Sequence, residues 1–505
     1  MRHVFVVGLD PDNRALLEEL PGAEDCVVHT LLPYARLRAG GDLSIADLLA
    51  EAEAELALFS GDVAAIMTCL DFPAPELVAL LAAPRGLPAP TLAGVLGCTH
   101  KLWSRRLQQA AVPEAVPRFA ALDPDREPPY AGLSLTFPLW VKPFNAFRGH
   151  LGFRVADEPA LAAALPAIRS ALPRLAAPLA ELLCAPELPP DLRSIPSSGL
   201  LAEEEVPGRL CTVEGYVWQG RATGYGVVDS IREPRRPSFS RYVYPSTLPP
   251  GCRRRVVALA ERTVEATGLT QSAFNVEIFV DPATERLTVL EVNPRLSQSH
   301  APLFAAVDGV SHLQVGLDVA CGRHPRPPLR AGAWPVAAKC FLRAYHDGIV
   351  TSVPGPNEFD MVAALFPGSS VRLLVSPGQR LADLPHQDAY SFELAEVYLP
   401  ARSRRDLQRR WRIVRDVLAV GIEPVTDGAA PPPAMAVLEP SGPAVHPTRR
   451  PPGLPRTPRV GVTPRVGVTP RGDLNPRGLR RGRSRNSSHA GISPRPGGLA
   501  GASPR

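Results

Sequence analysis

The opening twenty residues, MRHVFVVGLDPDNRALLEEL, pass from an apolar block through a Gly-Leu-Asp-Pro break into a polar stretch whose leucines recur at helical spacing. The pattern predicts a first strand, a turn and a helix. Further on, residues 274–280 (FNVEIFV) and 287–292 (LTVLEV) read as two strands joined by a turn around DPATER. The segment FPLWVKPFNAFRGHLGF predicts a short apolar strand and then a Pro-containing loop with Gly149 and Gly152, a lid over Asn145–Phe153. Before it, HKLWSRRLQQAAVPEAVPRF predicts a helix ending at a proline-flanked turn that leads toward a strand. Residues 157–196 are rich in Pro and Leu and predict helix in separate pieces. Near the end of the patterned region, RRDLQRRWRIVRDVL sets Leu407, Trp411, Val414 and Leu418 on one face. That face predicts a helix packed on the body, or a contact between two copies. From Gly428 the chain turns to Pro, Gly, Arg and Ser, with a short tandem repeat, RVGVTPRVGVTPR, and no periodicity. Such a segment buries too little apolar surface to offset its ordering entropy, so disorder is expected.

Composition refines this picture. A chain of 505 residues with 45% hydrophobic content has room for two to four domains with cores of their own. No apolar run approaches the roughly 20 residues of a bilayer-spanning helix, and the N-terminus carries no long apolar leader, so a cytoplasmic protein is expected. The eight cysteines (26, 69, 98, 184, 211, 252, 321 and 340) are widely spaced with no CxxC pair, which predicts reduced thiols rather than a disulfide framework or a zinc site. The net charge of +5 conceals an asymmetry: residues 441–505 carry 13 Arg against Asp473 alone, so residues 1–440 sum to −7. Nothing aromatic is interleaved in the basic tail for base stacking, so no specific nucleic-acid partner is expected.

Of the 55 basic residues only three are Lys: Lys101, Lys142 and Lys339. In a chain that uses Arg nearly everywhere, these mark candidate positions for a compact ammonium on a flexible stem. Lys142, at a strand end before a lid, is well placed to meet a phosphate.

The predicted hairpin carries the most chemistry. With its turn centred on Thr284, Glu277 falls opposite Glu291, and like charges facing each other destabilise a hairpin unless something compensates. A hard divalent cation such as Mg²⁺, which takes oxygen ligands, would do so, and Asn293 supplies a further oxygen two residues on. Arg295 then faces the ligand's anionic end. For either glutamate alone an ordinary ion pair with arginine explains as much, but it leaves the convergence of Glu, Glu, Asn and Arg without a reason. P-loop, GxSxG, HExxH and GxGxxG motifs are absent.

The ordered set HKLWSRRLQQAAVP, WVKP, LAEEEVPGRLCTVEGYVWQGRATGYGVVDS and FNVEIFV…LTVLEVNPR resembles the ATP-grasp superfamily, which includes carboxylate–amine ligases and biotin carboxylases. The resemblance spans most of residues 1–420. It implies an α/β protein: a Rossmann-like N-terminal domain (1–93), an ATP-grasp domain of two α+β subdomains (94–325), a β-rich C-terminal segment with a final helix (330–425) and a disordered basic tail (428–505). It implies ATP and Mg²⁺ as cofactors. Lys101, Lys142 and Arg148 would contact phosphates, Glu204 and Val206 would meet adenine chiefly through backbone groups, Glu277, Glu291 and Asn293 would hold Mg²⁺, and Arg295 would stabilise the transferred phosphoryl group. Ser297, Gln298 and His300 are candidates for substrate contacts, and His300 could instead cap the following helix. Two departures stand out: Leu210 occupies the place of a ribose-binding Glu, and the lid is less rich in Gly and Ser than is usual.

In biotin carboxylases a Glu immediately before this His acts as the base on bicarbonate; Ser299 stands there instead, and no biotinyl-lysine segment is present. The expected function is therefore an ATP-dependent ligase joining a small-molecule carboxylate to an amine through an acyl phosphate. The alternatives are a biotin-carboxylase-like transferase and an ATP-binding protein without catalysis.

Overall fold

The computed structural model describes residues 1–425 apart from 39–42, 129–131, 146–150, 235, 237, 385–386 and 388–389. Most of the lid, including Arg148 and His150, and the tail expected to be disordered lie outside the described residues.

The N-terminal region is a parallel sheet, order β2-β1-β3, formed by β1 (Arg2–Val7), β2 (Cys26–Leu31) and β3 (Val63–Thr68). Helices Pro11–Glu18, Ile45–Leu58 and Ala74–Ala82 alternate with these strands. Each of the first two starts where a side chain satisfies the free amide end: Asp10 accepts from Asn13 N at 2.9 Å and Ser44 from Asp47 N at 3.1 Å. Gly8 follows β1 with φ +72°, a conformation that favours glycine, and a Cβ there would come within 2.2 Å of Leu70 Cδ1 in the loop after β3.

A small antiparallel sheet follows, made of β4 (Phe119–Leu122), β5 (Leu139–Pro143), β6 (Phe153–Val155) and β7 (Leu200–Glu204) in the order β4-β7-β5-β6. Against it lies one continuous helix, Glu158–Leu183, where the sequence predicted separate pieces. Pro166, Pro173 and Pro178 sit inside this helix. Its buried face, Leu161, Leu165, Ile168, Leu172, Ala176, Leu179 and Leu183, keeps helical spacing throughout, and burial of that stripe outweighs the hydrogen bonds the prolines remove.

The largest sheet has eight antiparallel strands. They come from β8 (Arg209–Trp218), β9 (Arg221–Arg232), β10 (Phe239–Tyr244), β11 (Ser272–Val280), β12 (Leu287–Asn293), β13 (Val336–Ala344), β15 (Ser370–Leu373) and β16 (Phe392–Ala401), in the order β12-β11-β8-β9-β10-β13-β16-β15. β14 (Gly348–Ser352) pairs apart with β17 (Gly421–Pro424). Of the strands after residue 330, β13, β15 and β16 thus extend the same sheet that carries the hairpin. The C-terminal segment also carries helix Pro356–Leu365. Helix Arg404–Val417 packs Leu407 and Val414 into the core beside β13 and β16, with Leu418 buried just past its end. All eight cysteines are unpaired, and four of them are buried. Among the described residues no helix is long and apolar enough to cross a membrane.

Candidate active site

The hairpin β11–β12 sets the centre of the site. Its register places Glu277 opposite Glu291 and Asn275 opposite Asn293. Nearer the turn the pairing is offset by one residue, with a shift between Glu277 and Ile278, so an irregularity at Leu290 brings Glu291 across from Glu277. The two carboxylates bear on each other: burial first, and then the charge of Glu291, push Glu277 up to about 7, against the pull of Arg295, Arg232 and Lys101. Asn293 donates its amide nitrogen to Asn275 Oδ1 at 2.9 Å, and Asn275 in turn donates to the Arg295 carbonyl at 3.2 Å. With its NH₂ so engaged, Asn293 keeps its oxygen as the acceptor. Two carboxylates and an amide oxygen suit a hard cation that draws its remaining ligands from phosphate and water. Among the described residues no cluster of three or more His, Cys, Asp or Glu side chains is arranged as a metal site.

The cations come from two other elements. Lys101 opens helix Lys101–Ala111, which His100 caps by accepting from Trp103 N at 3.3 Å. A cation at a helix N-terminus opposes the helix dipole, a local cost offset here by Glu291, whose Oε1 lies 3.2 Å from Lys101 Nζ. Lys142, in β5, lies 2.6 Å from Glu203 Oε2 in the neighbouring β7, and Arg105 holds the other oxygen of that carboxylate. Burial alone would raise Glu203; Arg105 and Lys142 overcome it and hold the carboxyl at about 2. Lys142 is itself shifted down, by burial and then by Lys101 and Arg105, with Glu203 opposing. Glu204 faces outward, accepting from Thr136 N at 3.1 Å and pairing with Arg118 at 3.0 Å, and Val206 follows in the connection to β8. Leu210 is buried within β8.

Beyond β12 the chain turns through Arg295–His300. Arg295 pairs with Asp71, and Gln298 Nε2 donates to Asp10 Oδ2 at 3.4 Å. The Ser297 carbonyl accepts from His312 Nε2 at 3.0 Å, and Ser299 Oγ accepts from Lys339 Nζ at 2.9 Å. Lys339, the third lysine, also pairs with Glu396 at 2.7 Å. His300 does not cap the following helix with its side chain; its ring meets Glu214 Oε1 in β8 at 2.7 Å. Burial raises Glu214 to about 7 and lowers His300 to about 3 and His312 to about 4, so burial disfavours the charged form of all three.

Lys101, Glu291, Asn293 and Arg295 thus line one cavity of about 30 Å³ with Asp71 and Asn145. Lys142 and Glu277 adjoin it through their charges, whereas Ser299 and His300 bond to groups deeper in the sheet. Sequence reasoning passed over Arg105, Glu203, Asp71 and Glu214. The run of three glutamates at 203–205 flagged an acidic strand end but not which member turns inward; Asp71 and Glu214 left no local signal.

Comparison with known proteins gives matches of different reach. Residues 240–326 match the family model described as carbamoyl-phosphate synthase L chain, ATP binding domain. Carnosine synthase 1 of Gallus gallus is 32% identical over 175 residues, 33% of this chain, and the match spans only 18% of that protein's length. Among solved structures, an L-amino acid ligase from Bacillus licheniformis superposes with a TM-score of 0.64 at 16% identity, covering 84% of this chain and 99% of that one. A biotin carboxylase from Campylobacter jejuni gives 0.53 at 15% identity, covering 83% and 92%.

Proposed function

From the premise that this chain has the ATP-grasp fold, we propose that it is an ATP-dependent ligase that joins a small-molecule carboxylate to an amine through an acyl phosphate, releasing ADP and phosphate. The observation that carries the reading is the convergence of Glu277, Glu291 and Asn293 with Lys101 and Arg295 at one end of the hairpin, with Lys142 close by. Phosphoryl transfer to a carboxylate asks for positioning and charge neutralisation, and this constellation offers both without a protein nucleophile.

In this reading Lys101 and Lys142 hold phosphates, and Glu204 and Val206 meet adenine through their backbone. Arg295 stabilises the transferred phosphoryl group. Glu277, Glu291 and the Asn293 oxygen would hold Mg²⁺, which when bound supplies charge neutralisation on the phosphates. Arg105 and Glu203 keep Lys142 in place. Ser297 and Gln298 would contact substrate, whereas His300 and Ser299 are engaged by Glu214 and Lys339. The L-amino acid ligase likeness extends over nearly the whole of that protein and favours C–N bond formation. Ser299, engaged by Lys339, offers no base for bicarbonate.

The test incubates purified protein with ATP and Mg²⁺ against pooled carboxylates, with and without pooled amino acids or bicarbonate, and follows ADP and phosphate. ADP that requires both a carboxylate and an amine is the expected result. ADP that requires bicarbonate would replace the ligase with a carboxylase, and ATP binding with no product from any pool would point to a nucleotide-binding protein.

A further inference from the structure

Glu76, with none of its surface exposed, stands third in helix Ala74–Ala82. A glutamate at that position ordinarily reaches back to the amide of the residue that caps the helix, but the cap here is Pro73, which has none. The carboxylate turns instead to helix Leu92–Thr99, where its Oε1 accepts from the Thr99 hydroxyl at 2.8 Å. Its Oε2 meets no hydrogen-bonding partner among the described residues. A buried carboxylate held by a neutral hydroxyl is a costly arrangement, which a purely structural role does not explain. Thr99 lines the 30 Å³ cavity with Lys101, Glu291, Asn293 and Arg295, as does Pro75 beside Glu76. Because the Thr99 hydroxyl donates to Glu76, its oxygen keeps lone pairs with which to accept from a ligand. Burial raises Glu76 to about 7 against the pull of Thr99 and of its own amide, and the Asp71 charge adds to the rise. A carboxylate in that range can both take up and return a proton at neutral pH.

We propose that Glu76, reached through the Thr99 hydroxyl, accepts the proton that the ammonium of the amine substrate must lose before its nitrogen can attack the acyl phosphate. This deepens the ligase reading and rests on it for the identity of the amine. The ammonium gives one proton to the Thr99 oxygen while the Thr99 proton passes to Glu76 Oε1, so the hydroxyl is restored and the carboxylate becomes a carboxylic acid. The freed nitrogen lone pair then forms the C–N bond at the acyl carbon. The C–O bond to phosphate breaks, and the phosphate leaves with its electron pair and with the second proton of the attacking nitrogen. Glu76 afterwards returns its proton by the same route. A base walled off behind a hydroxyl also suits the chemistry: it can reach a proton in the cavity without offering its own carboxylate to the acyl phosphate.

The test compares two nucleophiles. ADP formation by the full chain is followed at neutral pH with ATP, Mg²⁺ and pooled carboxylates, once with pooled amino acids and once with hydroxylamine, whose nitrogen is already largely unprotonated and needs no base. The proteins are the wild type, Glu76→Gln, Thr99→Val and Thr99→Ser. The ratio of amino-acid-dependent to hydroxylamine-dependent turnover should fall about a hundredfold in Glu76→Gln and in Thr99→Val. Thr99→Ser, which keeps the hydroxyl, should hold the wild-type ratio. A merely structural role would depress both rates together. An unchanged ratio in Glu76→Gln, or in Thr99→Val should Glu76→Gln fail to fold by circular dichroism, would therefore overturn the proposal. Wild-type turnover with hydroxylamine alone would overturn it as well, since acyl phosphate would then form with no ammonium being deprotonated. Turnover with neither nucleophile would remove the ligase reading, and this proposal with it.

Discussion

Glu203 in the small sheet and Glu214 in the large one are both buried, with 4% and 0% of their surface exposed, yet they sit in opposite states. Arg105 and Lys142 clamp Glu203 and drive its carboxyl down to about 2, whereas Glu214 lies among His300 and His312 and is driven up to about 7. Burial penalises the charged form in both, so burial does not decide the outcome. The partners do: an arginine and a lysine carry their charge into the interior, while a buried histidine gives its charge up. The acidic group beside Lys142 and Arg105 is therefore held as an anion, whereas burial favours the protonated form of the one behind the Arg295–His300 turn.

The largest expected effect comes from removing the fixed anion. Glu203→Gln leaves Arg105 and Lys142 uncompensated and should lower unfolding free energy by about 3–5 kcal/mol in urea titrations; a loss below about 1 kcal/mol would make the clamp incidental. Lys142→Ala should cut ADP formation about a hundredfold or more while leaving Glu203 ionised through Arg105. Glu291→Ala, in the same assay, should lose the response to Mg²⁺. Wild-type rates in both variants would remove the site assignment.

The contrast is sharpened by pH. Glu203 has a lowered value, so its contribution to stability is present above the ordinary glutamate value of 4.5 and is lost as pH falls toward about 2. Glu214 has a raised value, so its contribution is complete below 4.5 and is lost as pH rises through about 7. Glu214→Gln, which keeps a hydrogen-bonding amide without the titration, should remove one share of the pH dependence between 4.5 and 7, where Glu277 adds a further loss and the lowered His300 and His312 an opposing gain, and cost no more than about 1.5 kcal/mol at pH 5. A pH profile that coincides with the wild type's would mean that Glu214 does not titrate there. Ser299→Ala, which removes one acceptor from a Lys339 still paired with Glu396, should be the mildest, about 0.5–1.5 kcal/mol by the same titration.

Legibility followed sequence distance. The N-terminal strand and helix, the hairpin and the amphipathic helix Arg404–Val417 rest on periodicity within a dozen residues, and the structure has each of them. The helix Glu158–Leu183 was misread because its three prolines carry a strong local signal for breaks, whereas the stripe that holds it together gains its energy from the sheet it covers and, at Leu179 and Leu183, from the core it shares with the N-terminal helices. The rarity of lysine pointed to Lys101, Lys142 and Lys339, and all three are ion-paired, but rarity said nothing of their partners.

The sequence by itself placed Glu277 and Glu291 on the two facing strands of one hairpin, with Asn293 and Arg295 close behind, and set three lysines apart from 52 arginines; the irregularity at Leu290 that brings the two glutamates level is a feature of the folded sheet. The hairpin is a property of neighbours joined by a six-residue turn, where strand alternation and turn chemistry dictate which strands meet. Only the tertiary structure decided that Arg105 would reach Glu203 across 98 residues, His300 would reach Glu214 across 86, and Arg295 would find Asp71 across 224. Those contacts depend on how separate sheets and loops close on one another, and a charged side chain's partner, hence its protonation state, is set by that closure rather than by its neighbours in the chain.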